Sequence, residues 1–249
     1  MRQRPVSIVT VTRDGLFFTR LLVGQVRHTM GDRDYEIIVV DQGSRDGTLA
    51  WARQQPDVRL LRQRRWFRRD HGHGEAAEAG VRAARHEHVV LLDSDAHPVS
   101  AEWLANSVDR LDDTHPLAGA VFRSPHAGNP HGWYIHPHFM AFRGRDLGGL
   151  IVLRKLRGEA TDTGEEATLR VLAAGRQVIG HEIGGAGARF EVGHPHVPTV
   201  AGGVFHAWYV SRLLHNEEGV ISETAGRVSR ATYLEPLMAR LREVYGLSD

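Results

Sequence analysis

The chain has 249 residues, of which 41% are hydrophobic and 24% charged, and its formal net charge at neutral pH is +1. That balance suits one sizeable core and supplies no global field for nucleic acid or acidic partners. Cysteine is absent, which excludes disulfides, thiolate nucleophiles and Cys-ligated zinc, and Lys155 is the single lysine, so arginine carries nearly all the positive charge.

The opening MRQRPVSIVTVTRD has only a short apolar run between charges, unlike a signal peptide or a membrane span. No later run approaches spanning length. A cytoplasmic protein is expected, with at most a weak peripheral contact to a membrane surface. VSIVTVT (6–12) reads as a strand and LFFTRLLVGQVRHTM (16–30) as an amphipathic helix. EIIVVD (36–41) is a second strand, closed by QGSRDGT, and a short helix follows near 46–54. VRLLR (58–62) is a third strand, 74–86 a helix and HVVLLD (88–93) a fourth strand. Continuous apolar strands alternating with helices predict an α/β fold whose parallel sheet is covered on both faces.

In such sheets ligands bind beyond the carboxyl ends of the strands. Three of those ends are polar here: Thr12-Arg13-Asp14, Asp41-Gln42-Gly43-Ser44 and Asp93-Ser94-Asp95. They are expected to converge on one rim. Next, SAEWLANSVDRL (100–111) reads as a helix with Ser100 as its N-cap. LAGAVFRS (117–124) and HFMAFR (138–143) read as strands separated by the loop PHAGNPHGWYIHP. TGEEATLRVLAAG (163–175) reads as a helix closed by Gly175, and the Gly-rich 184–203 resists assignment. Near the end, Leu234, Leu237, Met238, Leu241 and Tyr245 share one helical face, suited to docking on the core or to a homodimer contact. No repeat or linker interrupts the chain, so a single domain over 1–249 is expected.

The stretch HVVLLDSDAHP (88–98) poses a chemical question, because a buried strand runs straight into two carboxylates one residue apart. A helix-start cluster ahead of Pro98 accounts for one acid, not both. A hard divalent cation accounts for both, since Mg2+ or Mn2+ takes oxygen ligands and commonly bridges to substrate phosphates. Asp95 would reach the ion directly, with Asp93 acting through water or a ribose hydroxyl.

YEIIVVDQGSRDGT followed by HVVLLDSDAHP resembles an inverting, family 2-type glycosyltransferase with the GT-A fold, a Rossmann-like, mostly parallel central sheet flanked by helices. The resemblance is strongest over about the first hundred residues. It implies that Asp41 contacts the nucleotide base and that Asp93 and Asp95, flanking Ser94, are a DxD motif holding Mn2+ or Mg2+ on the sugar-nucleotide diphosphate. Val11-Thr12-Arg13-Asp14 stands where the family has Pro-Thr-aromatic-Asn, and two of the four residues depart from that pattern. In DHGHGEAAEAG (70–80), Asp70, Gly72, Ala76, Glu78 and Gly80 follow the spacing of the family's Asn-x-Gly-x-x-x-Ala-x-Asn-x-Gly. There the glycines either simply permit a tight helix entry or let the backbone N–H groups and dipole of the helix N-terminus, Gly72 included, face the donor. His71 and His73 lack a third ligand nearby in sequence and are not read as a metal pair.

Glu165-Glu166-Ala167-Thr168-Leu169 resembles the family's Glu-Asp-x-x-Leu-x-x-Arg with Glu in place of the Asp and Arg170 displaced. The resemblance implies Glu166 as the leading catalytic base, with Asp162 and Glu165 as rivals. Acids in a helix's first turn also complement its dipole without any catalytic role. GGVFHAWYVSR (202–212) supplies His206, which is either a further metal ligand, as in many GT-A enzymes, or an ordinary core histidine. An imidazole beside carboxylates would tilt the preference toward Mn2+. RQRRWFRR (62–69) reads as a solvated loop, one of whose arginines leans toward the donor phosphates, rather than as a nucleic-acid patch. The histidines of HPHF and HPHV read as loop residues or acceptor contacts.

The substrates expected are thus an NDP-sugar donor, UDP-linked, and a hydroxyl acceptor such as a small molecule or natural product. Residues 1–115 would form the donor half and 116–249 the acceptor half. A retaining enzyme on the same fold and a degenerate donor-binding scaffold stay open as alternatives. A dinucleotide oxidoreductase is disfavoured, because no G-x-G-x-x-G follows the first strand.

Overall fold

The computed structural model describes residues 3–63, 72–154, 162–194, 198–215, 220–223 and 226–247. Residues 64–69 of the arginine run, Asp70, His71 and His196 lie outside the described residues.

The first half folds as expected. Strand β1 (Val6–Thr12) is buried along its whole length, α1 (Leu16–Met30) follows, and β2 (Tyr35–Asp41) pairs parallel to β1. Helix α2 (Thr48–Arg53), β3 (Val58–Arg62), α3 (His73–Ala83) and β4 (His88–Asp93) complete a parallel set in which β1 lies between β2 and β4. Then β5 (Ala96–Pro98) leaves this sheet, and β6 (Leu117–Arg123) and β7 (Trp133–Arg143) return to it. After α4 (Glu165–Ala173), β8 (Val178–His181) closes a seven-stranded sheet of order β3-β2-β1-β4-β7-β6-β8. Only β7 runs antiparallel to its neighbours there.

Three elements differ from the sequence reading. Residues 101–107 form turns ending in a 3-10 turn at Val108–Arg110 instead of an α-helix. Their backbone bonds mix reaches of three, four and five residues, as in Ser107 N to Leu104 O, Asn106 N to Glu102 O and Asp109 N to Leu104 O, so no α ladder propagates. Trp103, Leu104 and Val108 are nonetheless buried, so packing overrides the helical pattern. Strand β7 begins at Trp133, five residues before the expected start, and takes up the end of the His/Pro/Gly loop. The unassigned Gly-rich stretch contains β9 (Gly184–Gly185) and β10 (Thr199–Ala201), which join β11 (Val204–His206) and β5 in a second sheet of order β5-β11-β10-β9.

Helix α5 (Val210–His215), the hairpin of β12 (Val220–Glu223) and β13 (Gly226–Ser229), and α6 (Glu235–Tyr245) end the described chain. One face of the main sheet packs Ile8, Ile37 and Val90 against Leu22, Val23 and Val26 of α1. The other packs Val9, Val40 and Leu91 against Ala76, Ala77 and Val81 of α3 and Ala167 and Val171 of α4. A Cβ on Gly80 would come within 2.4 Å of Val9 Cγ1, so α3 lies flat on β1 because that position is glycine. Helix α6 buries Leu237 and Leu241 against Phe18, Leu21 and Phe205, so its apolar face docks on the chain's own core. Among the described residues no helix is long and apolar enough to cross a membrane.

Away from the rim, Arg33 and Asp109 form a buried two-pronged pair at 2.8 and 2.6 Å. Burial alone would raise the Asp109 pKa, but the hydrogen bonds and charge of Arg33 overcome it and hold the carboxyl below its ordinary value. The stability this contributes is complete above the ordinary carboxylate pKa and is lost as pH falls through the lowered folded value. Asp109→Ala leaves a buried guanidinium without its carboxylate and is expected to cost about 3–5 kcal/mol, read from urea denaturation at neutral pH. A midpoint unchanged from wild type would refute this.

Candidate active site

The register of the parallel strands assembles the rim. Thr12 lies opposite Asp41 and Val11 opposite Asp93, so the ends of β1, β2 and β4 sit side by side. Asp41 is buried and accepts the N–H groups of Gly43 (3.0 Å) and Ser44 (3.2 Å), bending the chain after β2. Ser44 Oγ in turn accepts the N–H of Asp14, and Asp14 Oδ1 accepts the N–H of Arg45. This cross-linking holds Asp14 at a φ of 50°, in the left-handed region. Arg13 sits half-buried beside it, with Nε 3.7 Å from Asp14 Oδ2. Thr12 Oγ1 and Thr19 Oγ1 lie 2.9 Å apart and tie the strand end to α1. Val11, Thr12, Arg13, Asp41, Asp93 and Ser94 therefore share one edge, and Gly72 caps α3 next to it.

The acid pair gains a third partner through the second sheet. Ala96 of β5 pairs with His206 of β11, and the N–H of Ala207 donates to Asp95 O. His206 Nε2 then lies 3.4 Å from Asp95 Oδ1 and 3.9 Å from Asp93 Oδ2. Asp93, Asp95 and His206 each offer a ligand atom, all within 4.8 Å of one another. His206 Nδ1 is buried without a hydrogen-bond partner. Two carboxylates and an imidazole, incompletely satisfied and brought together at a strand end, form a donor set that could hold Mn2+ or Mg2+.

His73, the first residue of α3, places Nε2 3.2 Å from Asp93 Oδ1. Burial would raise the Asp93 pKa, yet His73, with His136 and His206 behind it, holds it at about 2. Conversely, burial opposes a charged His73, but Asp93, aided by Asp162 and Asp95, raises its pKa above the ordinary histidine value. Local spacing does not place His73 here, because its partner is twenty residues away on another element. A Cβ on Gly74 would lie 2.1 Å from Leu153 O, and Glu78 accepts the N–H groups of Leu153 and Arg154 at 3.3 Å. The glycine and the acid thus clamp the start of α3 against the segment that precedes α4.

A β-bulge brings two further histidines. Pairing between β6 and β7 runs through Gly119 to Met140 and then jumps to Ala120 with His136, leaving Pro137, His138 and Phe139 as extra residues on β7. The bulge takes HPHF out of the loop expected for it and turns His138 against His206, rings stacked 4.3 Å apart. His136 Nδ1 and His138 Nδ1 are 2.9 Å apart. Burial drives the His136 pKa to about 4 and that of His138 well below the ordinary value, so both rings are neutral at physiological pH. The sequence signal is a proline inside an otherwise strand-like run.

Trp208 lies 4.2 Å from the His206 ring, and its Nε1–H donates to Thr199 Oγ1 at 2.8 Å. Trp208 and Tyr209 both have a φ of 58°. Left-handed backbone at a bulky residue costs on the order of 1–3 kcal/mol and clusters at functional sites.

The three candidate bases separate clearly. Glu165 is fully buried and accepts from Ser124 Oγ, from Asn129 Nδ2 at 2.7 Å and from the N–H of Asp162 at 3.1 Å. It ties α4 to the segment between β6 and β7 and is committed to that framework. Glu166 pairs with Arg170 at 2.5 Å, one turn along the same helix. Asp162 accepts from Tyr134 Oη at 3.2 Å, and its charge raises the pKa of His73 and acts in the same sense on His136. Its Oδ1 also accepts the N–H of Thr163 at 2.8 Å, and its field reaches the site histidines.

Known proteins share this fold. The family model for glycosyl transferase family 2 matches residues 7–172. A mannosyltransferase from Pyrobaculum calidifontis, solved with GDP-Man and Mn2+, is 20% identical with a TM-score of 0.58, over 72% of this chain and 55% of that one. Glucosyl-3-phosphoglycerate synthase from Mycobacterium tuberculosis, solved with Mn2+, UDP and phosphoglyceric acid, is 16% identical with a TM-score of 0.53, over 72% and 68% of the two chains. At such identities the likeness is one of fold, and this chain spans about half the length of the mannosyltransferase. No curated protein matches the chain by sequence.

Proposed function

This chain belongs to glycosyl transferase family 2 and has the GT-A fold, and from that premise we propose that it transfers a sugar from an NDP-sugar to an acceptor hydroxyl. The observation that carries the reading is the cluster of Asp93, Asp95 and His206 on the rim where β1, β2 and β4 end. Residues 1–115 would serve the donor and 116–249 the acceptor. A UDP-linked donor and inversion at the anomeric carbon are part of the proposal.

Asp93, Asp95 and His206 would hold Mn2+ or Mg2+, with Mn2+ favoured by the imidazole. When bound, such an ion neutralises charge on the departing diphosphate. His73 orients Asp93 from the opposite side. Asp41 keeps the turn after β2 in shape while facing the base, with Val11, Thr12 and Arg13 beside it. Ser94 and Gly72 line the path of the phosphates. Asp162 accepts the proton of the acceptor hydroxyl, and Tyr134 fixes its carboxylate by donating to Oδ2.

A thermal-shift panel of UDP- and GDP-sugars, with and without Mn2+, tests the reading. Stabilisation by one nucleotide that grows with the metal is expected. A flat panel would argue for a scaffold that has lost donor binding, and a product of retained anomeric configuration, read by NMR, would favour the retaining alternative.

A further inference from the structure

Phe122, His136 and Trp208 are half-buried rings whose centroids form a near-equilateral triangle, 5.0, 5.6 and 5.3 Å on a side. Their planes are tilted 37–55° to one another, so they make a cupped wall rather than a flat stack. One end of the wall abuts the acid–histidine cluster through Trp208 and His206, 4.2 Å apart. The other reaches Asp162 through Tyr134, whose ring is 5.8 Å from His136 and whose hydroxyl donates to the carboxylate. The wall thus touches, through its neighbours, both the proposed base and a ligand of the proposed metal site.

The polar atoms of the wall are largely spent inside the protein. Trp208 Nε1 donates to Thr199, His136 Nδ1 meets His138, and Tyr134 Oη serves Asp162. What the wall leaves open is mainly ring carbon, plus one ring nitrogen of His136 and one carboxylate at its edge. A polyol seated there would lose hydration at several hydroxyls with few partners to replace it. An aromatic ring asks for faces and one acceptor for its hydroxyl. The left-handed backbone at Trp208 and Tyr209 is what turns the indole onto the wall, a strained arrangement of the kind retained at binding sites.

Building on the transferase reading, the geometry points to an acceptor of one chemical class: a flat aromatic ring bearing a hydroxyl, held by Phe122, His136 and Trp208. In the step this implies, the phenolic O–H gives its proton to Asp162 and its oxygen bonds to the anomeric carbon. The bond from that carbon to the diphosphate oxygen breaks, and the nucleoside diphosphate leaves with the electron pair.

The test uses the whole chain with Mn2+ and the NDP-sugar selected by the thermal-shift panel. Release of nucleoside diphosphate is followed without acceptor and with p-nitrophenol, 7-hydroxycoumarin, methyl glucoside or glycerol. The phenols are expected to raise release at least about tenfold and saturably, and Trp208→Leu and Phe122→Leu to raise the phenol KM about tenfold more than the donor KM. Phe122 lies on β6, outside the strained turn, and keeps the test available if Trp208→Leu fails to fold. Methyl glucoside or glycerol performing as well as the phenols, or a phenol KM unmoved in both variants, would overturn the inference and leave the transferase reading standing. No binding or turnover of any NDP-sugar would overturn the transferase reading instead. Saturation-transfer NMR of p-nitrophenol on the wild-type chain and Phe122→Leu then decides the aromatic site separately. A transfer signal in the wild type that disappears in the variant supports the site, and no signal in either refutes it.

Discussion

Asp95→Asn is expected to abolish the extra thermal stabilisation that Mn2+ gives in the presence of nucleotide and to lower turnover by about 10²–10³-fold, which corresponds to several kcal/mol of charge stabilisation. Asp95 is nearly buried, its backbone is fixed by the N–H of Ala207, and its carboxylate lies nearest His206 in the cluster. An amide at this position keeps the volume and one oxygen but removes the charge that a divalent ion requires. Isothermal titration with Mn2+ alone, and then with Mn2+ and nucleotide, separates metal binding from folding. Wild-type metal affinity in Asp95→Asn would remove the cluster from the mechanism.

The second large effect is expected at Asp162. Asp162→Asn should lower kcat by about 10²–10⁴-fold, the range typical of general-base removal, with a smaller change in donor KM. Glu166→Gln should change kcat by only a few-fold, because Glu166 spends its charge on Arg170. Glu165→Gln should act mainly on stability, since Glu165 is buried among Ser124, Asn129 and the Asp162 N–H. The ordering is the test: a larger kcat loss in Glu166→Gln than in Asp162→Asn would return the base to the first turn of α4.

How much of this is legible in the sequence depends on the range of the interactions. Strands β1, β3 and β4 and helix α1 have the bounds expected, because each carries its own local apolar pattern and is flanked by turn chemistry. The rim follows, since parallel neighbours must end together. His206 is legible as a candidate but not as a neighbour of Asp95, a relation that depends on β5 leaving one sheet to pair in another. That His73, His136 and His138 gather at the acid pair is hidden for the same reason: a contact across α3 and β4, and a bulge in β7, leave almost no trace in local spacing. Glu165, Glu166 and Asp162 are three acids within five positions, and only their partners tell them apart. The turns at 101–107 show the opposite error, a helical pattern whose side chains pack inward while the backbone follows another course.

The short ladder between β5 and β11 has a mechanical consequence. It joins the two halves of the ion's donor set through only three residue pairs, and its far side is held by His97, whose Nε2 meets Tyr245 Oη at the end of α6. An occupied centre would thus act as a rivet between the amino-terminal sheet and the carboxy-terminal third. By thermodynamic reciprocity, any stabilisation the cation gives to the docking of α6 is returned as an equal gain in the grip on the cation. Helix α6, distant from the chemistry, would then contribute to the affinity with which the catalyst is loaded.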